Sequence, residues 1–261
     1  MRVRPVMIGV LCLAAALLVA AGCGGDQPAM GDPGGGAGAE EPASPGTPAP
    51  GVPGDARGQL AALAAAAKDR RTVAFYTLHR PDAPEPGTVV VTLAADGSWR
   101  VDVPGGAHGG AVDVGIVTNA NGLYQCVLPS VSQPGSCVRV ADPGGAMPAA
   151  VDPRVPHIFT TWREVFTDRR APLSVSPAEP FAGVTGACYS VESTAASLLS
   201  PVAPGIYCYT PDGTLTGART EFGTLVLASP PGAAPPTVPL PAPVVDGDPL
   251  PTAPPPSENG T

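Results

Sequence analysis

Large rings and charges are both scarce in this chain. Phe, Tyr and Trp make up 5% of it, and Asp, Glu, Lys and Arg together 14%. Basic residues are the scarcer sign, with 14 Lys and Arg against 22 Asp and Glu and a net charge of −8. That balance excludes recognition of nucleic acid through a basic surface, and equally a polybasic membrane patch. Three histidines are present, and none sits close to a cysteine in sequence, so neither zinc nor any other metal is expected. Gly-x-Ser-x-Gly, His-Glu-x-x-His and phosphate-loop motifs are missing, and so is Cys-x-x-Cys. The chain therefore names no catalytic residue and no cofactor, and it reads as a non-enzyme. His79, His108 and His157 are isolated and are expected as surface or turn residues.

What is present begins with Met1-Arg2-Val3-Arg4 and an apolar run from Pro5 to Ala21, ending in Gly22-Cys23. The run is too short and too rich in small residues at its end for a comfortable membrane span. Val19-Ala20-Ala21-Gly22-Cys23 resembles a bacterial lipobox, with Ala20 where leucine is usual. The resemblance implies cleavage after residue 22 and acylation of the Cys23 thiol. Residues 1–22 are then a lipoprotein signal peptide, and the protein is held on the outer face of the cell membrane by its acyl chains. Without Arg2 and Arg4 the basic residues fall from 14 to 12 against 22 acids, a balance near −10.

The 33 glycines and 36 prolines are unevenly spread. Residues 23–54 are Gly- and Pro-rich, bury too little apolar surface to offset ordering entropy, and read as a disordered tether. Residues 242–261 read as a disordered Pro-rich tail, and Asp246-Gly247-Asp248-Pro249 within them is too small a fragment of a calcium loop to count. Residues 55–241 form the single folded domain, expected as a monomer.

Cys126, Cys137, Cys188 and Cys208 are an even set in an exported domain and read as two disulfides. Three connectivities exist in principle. Cys126–Cys137 and Cys188–Cys208 are favoured, because each pair sits in two strand-like segments joined by a turn-rich link.

Along the domain, Asp55 is a plausible N-cap for an Ala-rich helix over 56–70 with Leu60, Leu63, Ala64 and Ala67 on one face. Strand-like segments follow at 72–79, 87–94, 98–103, 112–118, 123–128 and 137–140, joined by turns without crossover helices. Ile158, Phe159, Trp162, Val165 and Phe166 then make a helical stripe over 156–166, with Pro156 in the first turn. Strands at 173–176, 187–191, 206–210, 214–218 and 220–228 complete a sheet, and 237–241 is a candidate edge strand. The class is α+β and antiparallel.

This order, with Tyr124-Gln125-Cys126, Ala187-Cys188-Tyr189 and Tyr207-Cys208-Tyr209-Thr210-Pro211-Asp212-Gly213 on its strands, resembles the LolA/LppX-like half-barrel lipoproteins of actinobacteria. The resemblance implies a curved antiparallel β half-barrel, with the N-terminal and mid-chain helices packed on its concave side. Several such proteins carry lipid acyl chains, so the stripe residues Ile158, Phe159, Trp162, Val165 and Phe166 are candidate walls of a lipid pocket. The plainer expectation is that they fill the core. Two functions follow: a carrier of a lipid or other apolar ligand, or an envelope accessory module with a solid core and a protein partner.

Overall fold

A computed structural model describes residues 55–131, 133–195 and 200–254. The signal, Cys23 and the tether lie outside the described residues. Asp55 accepts a hydrogen bond from the Gly58 amide at 3.1 Å and so caps α1 (Ala56–Asp69). Leu60, Ala64 and Ala67 are its buried face, spaced at one helical period. No described helix is long and apolar enough to cross a membrane.

Among the described residues, twelve strands form one open sheet in which the ladder pairs are antiparallel. The first meander is β1 (Thr72–His79), β2 (Gly87–Leu93), β3 (Trp99–Ala107), β4 (Val112–Asn119), β5 (Gly122–Val127) and β6 (Ser136–Ala141). Two short helices follow, α2 (Val155–Phe159) and α3 (Thr161–Thr167). The second meander is β7 (Leu173–Ala178), β8 (Ala187–Ser193), β9 (Gly205–Tyr209), β10 (Leu215–Thr220) and β11 (Gly223–Leu227), and a two-residue β12 (Gly232–Ala233) trails it. The spatial order is β6-β5-β4-β3-β2-β1-β11-β10-β9-β8-β7. One meander grows outward from the centre, the helices return the chain to the far edge, and the second meander grows back until β11 meets β1.

Alternation along the strands sorts the faces. Tyr76 and Leu78 of β1, Val89 and Val91 of β2, and Val101 and Val103 of β3 form one cluster with α1, α2 and α3. The opposite side of β3 carries Arg100 and Asp102, which form a two-point ion pair at 2.6 and 2.8 Å.

The single helix expected over 156–166 is two. Thr160 has φ −129° and ψ −102°, and its hydroxyl donates to the Pro156 carbonyl at 2.8 Å. The Thr160 amide donates to His157 at 3.2 Å while its hydroxyl takes the Pro156 carbonyl, so the i to i−4 backbone ladder stops at this residue. The stripe survives the break. Ile158, Phe159, Trp162 and Phe166 are buried, and Val165 is half-buried against the same cluster.

The expectation of a disordered tail from 242 does not hold for the described residues up to 254, and 237–241 is not an edge strand. Residues 235–252 instead form a strap. The Pro235 and Pro236 carbonyls accept from Ala95 and Asp96 at 3.0 and 3.1 Å. Val238 donates to Ser98 Oγ at 2.9 Å and is buried beside Ala94, Val117 and Tyr124. Cys137 on the edge strand β6 pairs with Pro243 and Val245, and Gln125 clasps Leu250 through both ends of its amide. Pro251 and Thr252 accept from His108 and Gly109. Proline lacks a donor but keeps its carbonyl, and its restricted φ lowers the entropy lost on ordering, so proline suits the positions where the strap only accepts, at residues 235, 236, 243 and 251. Truncation after Pro241 is expected to remove both bonds of Gln125 to Leu250 and leave its Nε2 only the Val151 carbonyl at 3.4 Å. At about 1–3 kcal/mol for each unpaired buried group, the midpoint in urea falls measurably.

The β9–β10 turn is fastened by Asp212. Its carboxylate accepts from the Thr210 hydroxyl, from the Thr214 amide at 3.2 Å, and from Arg70 at 2.6 Å. The Thr210 hydroxyl first, then the Thr214 bonds and Arg70, hold its pKa down at about 2. A carboxylate depressed in the folded state adds stability above its unfolded value, and that stability is lost as pH falls through the folded one. Denaturation series from pH 5 to pH 2 should therefore show Asp212→Asn with a flatter loss of stability than the parent chain.

Candidate functional site

The expected lipid wall is interlocked with tyrosines from the sheet. Phe166 meets Tyr207 edge-on at 5.0 Å, Trp162 meets Tyr207 at 6.3 Å, and Phe159 lies 5.0 Å from Tyr76. The Tyr207 hydroxyl donates to the Ala203 carbonyl at 2.6 Å, and that of Tyr76 to Leu215 at 3.0 Å. Burial raises the pKa of both phenols. The space left beneath α2 and α3, bounded by Ile158, Phe159, Tyr76, Val91, Arg163 and Tyr209, measures about 30 Å³. That accommodates one or two waters, whereas ligand pockets run to roughly 300–1,000 Å³. The sequence placed Tyr207 and Tyr209 beside Cys208 but gave no sign that they meet the helix stripe. Strand alternation puts them on the helix side and Cys208 on the other.

Both favoured disulfides are present. Cys126 stands directly opposite Cys137 on β5 and β6, and Cys188 opposite Cys208 on β8 and β9. Cys126 and Cys137 pack with Tyr124, Val117 and Val238 beneath the strap.

The histidines are placed separately. His79 is exposed at the end of β1, and His108 is half-buried in a Gly-rich turn with φ +53°. His157 is more than a turn residue. Its Nε2 lies 2.6 Å from Asp152 Oδ2, its Nδ1 lies 2.7 Å from Thr161 Oγ1, and its ring stacks on Trp162 at 5.8 Å. An acid, an imidazole and a hydroxyl in series are the parts of a proton relay. Here the same carboxylate also accepts from the Arg154 amide at 2.8 Å, so the series clasps the turn before α2 to the start of α3. The i to i+4 spacing of His157 and Thr161 was readable in the sequence; Asp152, before the helix, was not.

The open hollows lie at the loop end of the sheet. Arg80, Asp82, Gly105, Gly109 and Gly110 are shared by two adjoining spaces of about 360 and 470 Å³. The cleft forms because β3 leaves register with β4 between Val103 and Ala107. There Gly105 takes φ +57°, donates to Asp113 at 2.7 Å and receives Arg80 Nη1 on its carbonyl. A Cβ on Gly105 would come within 2.8 Å of the Gly110 carbonyl oxygen, so the turn closes only on glycine. Asp82, Glu85, Asp113, Asp152 and Glu221 line the cleft against Arg80 and Arg154, five carboxylates to two guanidiniums. Burial lowers the Arg80 pKa below the usual value, opposed by Asp82 and Asp113. Arg154 has φ +64° and binds Glu221 at 2.6 Å across the cleft wall. Among the described residues no group of His, Cys, Asp and Glu is placed to hold a metal ion.

No protein family and no curated protein matches the chain.

Phe166→Ala is expected to cost about 3–5 kcal/mol of stability, the range for a buried ring lost from a packed core. Replacing Cys188 and Cys208 together by serine should cost about 2–5 kcal/mol. Chemical denaturation followed by tryptophan fluorescence checks both.

Proposed function

We propose that this chain is a non-enzymatic lipoprotein, anchored through Cys23 to the outer face of the cell membrane. In this reading it works as a monomeric accessory module that presents its folded domain to another envelope protein. We take the open sheet as the curved half-barrel implied by the LolA/LppX resemblance, with the helices on its concave side. The observation that carries the reading is the core. Trp162, Phe166 and Phe159 are engaged with Tyr207 and Tyr76, and about 30 Å³ remains beside them. An acyl chain bound by burial at about 0.8 kcal/mol per methylene needs a continuous apolar channel. The recognition surface in this reading is the cleft at the loop end, whose excess of carboxylates suits a partner bearing lysine or arginine.

The lipid-carrier reading rests on a different feature. An apolar groove of about 360 Å³ runs beside α1, walled by Ala62, Leu63, Ala187, Tyr189 and Pro211. It lies away from the Ile158–Phe166 stripe, so a lipid held there would lie along the outside of α1.

Three variants test the proposal. Cys23→Ser should move the protein from the membrane fraction to the soluble one. The acyl-free protein should still co-sediment with detergent-stripped envelopes. Asp82→Lys with Glu85→Lys should weaken that binding at least tenfold, while Phe75→Asp, away from the cleft, leaves it unchanged. Equal binding by all three proteins rules out the cleft as the recognition surface.

A further inference from the structure

The cleft at the loop end has a titratable ring behind its wall. Asp152 lines the cleft, and its Oδ2 lies 2.6 Å from His157 Nε2. The same carboxylate accepts from the Arg154 amide at 2.8 Å, which holds it in place. The side chains of His157 and Asp152 are 25% and 17% exposed. Charges sheltered to this extent are screened by salt less than charges in open solvent.

The partners fix what each ring nitrogen does. A carboxylate only accepts, so Nε2 carries a proton toward Asp152. In the neutral ring Nδ1 is then the acceptor, and it takes the Thr161 hydroxyl at 2.7 Å. In the protonated ring Nδ1 donates, and the Thr161 oxygen accepts once its hydroxyl has rotated. Both bonds survive, so the clasp between the turn and α3 holds in either state. What changes is the charge beside Asp152. The other charged groups near the ring are engaged elsewhere. α2 has no second titratable residue. On α3, Arg163 donates to the Ala67 carbonyl at 2.6 Å, and Glu164 lies 3.9 Å from Lys68. From the β10–β11 turn, whose Phe222 meets Trp162 at 6.2 Å, Glu221 is bound by Arg154 at 2.6 Å. Tyr207, which also meets Trp162, gives its hydroxyl to Ala203.

We propose that protonation of His157 neutralises Asp152 at the cleft wall and so weakens the hold on a basic partner as the solution turns mildly acid. This regulation rests on the reading of the cleft as the recognition surface. Histidine is the side chain whose charge changes between about pH 8 and about pH 5. The cleft carries five carboxylates to two guanidiniums, an excess of three, and one imidazolium beside Asp152 removes a third of it. His79 and His108 directly precede Arg80 and Gly109, which line the cleft. Among the described residues, His157 is the histidine that is hydrogen-bonded to a cleft carboxylate.

The test is co-sedimentation of the Cys23→Ser protein with detergent-stripped envelopes at about pH 7.5 and about pH 5.5, at constant ionic strength. Binding is expected to weaken about two- to fivefold in acid, the scale of one partly exposed charge pair. His157→Gln keeps an N–H donor where Nε2 stands and does not titrate, so it should lose most of that difference. In the parent protein the fall should follow the titration of the His157 ring, read from its NMR signals, and not that of His79 or His108. That measurement stands even if the variant fails to fold. An equal fall in His157→Gln, a fall that follows another histidine, or no fall at all overturns the proposal. Binding absent at both pH values overturns the recognition reading of the cleft, and this regulation with it.

Discussion

The pairing of β1 with β11 is the constraint on which the rest of the structure depends. Tyr76 through His79 lie opposite Leu227 through Thr224, so strands from the two ends of the domain meet at the middle of the sheet. Neither meander buries both flanks of the core alone. Joined at this seam, they place Tyr76 and Leu78 from one side, and Tyr207, Tyr209 and Leu225 from the other, under the same three helices. Such a long-range contact is formed against a large loop-closure entropy. The two disulfides, each closing a short loop further out, lock local hairpins and leave the seam to be made by packing.

Helices and strands then divide the work. α1 packs small residues, Ala64 and Ala67, and so approaches α3 closely. α2 and α3 bring the stripe that interlocks with the tyrosines. The outward face would be left bare in its first meander were it not for the strap, which covers the Cys126–Cys137 side and pins the turn containing His108. That turn, the bulged end of β3 and the turn before α2 together make the cleft. The features proposed for recognition therefore sit where the ladder is interrupted, at residues such as Arg154 and His108 that hold positive φ. Backbone held in such regions persists when surrounding contacts over-determine it.

Much of this was legible in the sequence where local physics decides. The strand-like segments at 72–79 and 87–94 and the cysteine pairs set across turn-rich links were readable as strands and disulfides, because strand composition and turn chemistry act over a few residues. The helical stripe was legible, yet its break at Thr160 was not, since the choice lay between a hydroxyl bonding Pro156 and one more turn of helix. The tail misled for a different reason. Proline content reports missing donors and says nothing of carbonyls, and the carbonyls of Pro235, Pro236, Pro243 and Pro251 all accept hydrogen bonds in the strap. Asp152 beside His157, and Arg163 beside Tyr209, are meetings in space between residues that carry no shared spacing.

The central claim is that the domain is solid beneath its helices and meets its partner from outside. Native mass spectrometry of the Cys23→Ser protein, exported from a bacterial host and followed by organic extraction, tests it most directly. The account predicts the mass of the polypeptide alone, unchanged after incubation with envelope lipids. Co-purified lipid at near one per protein, lost when Trp162 or Phe166 is replaced by aspartate in a variant that still folds, would contradict it.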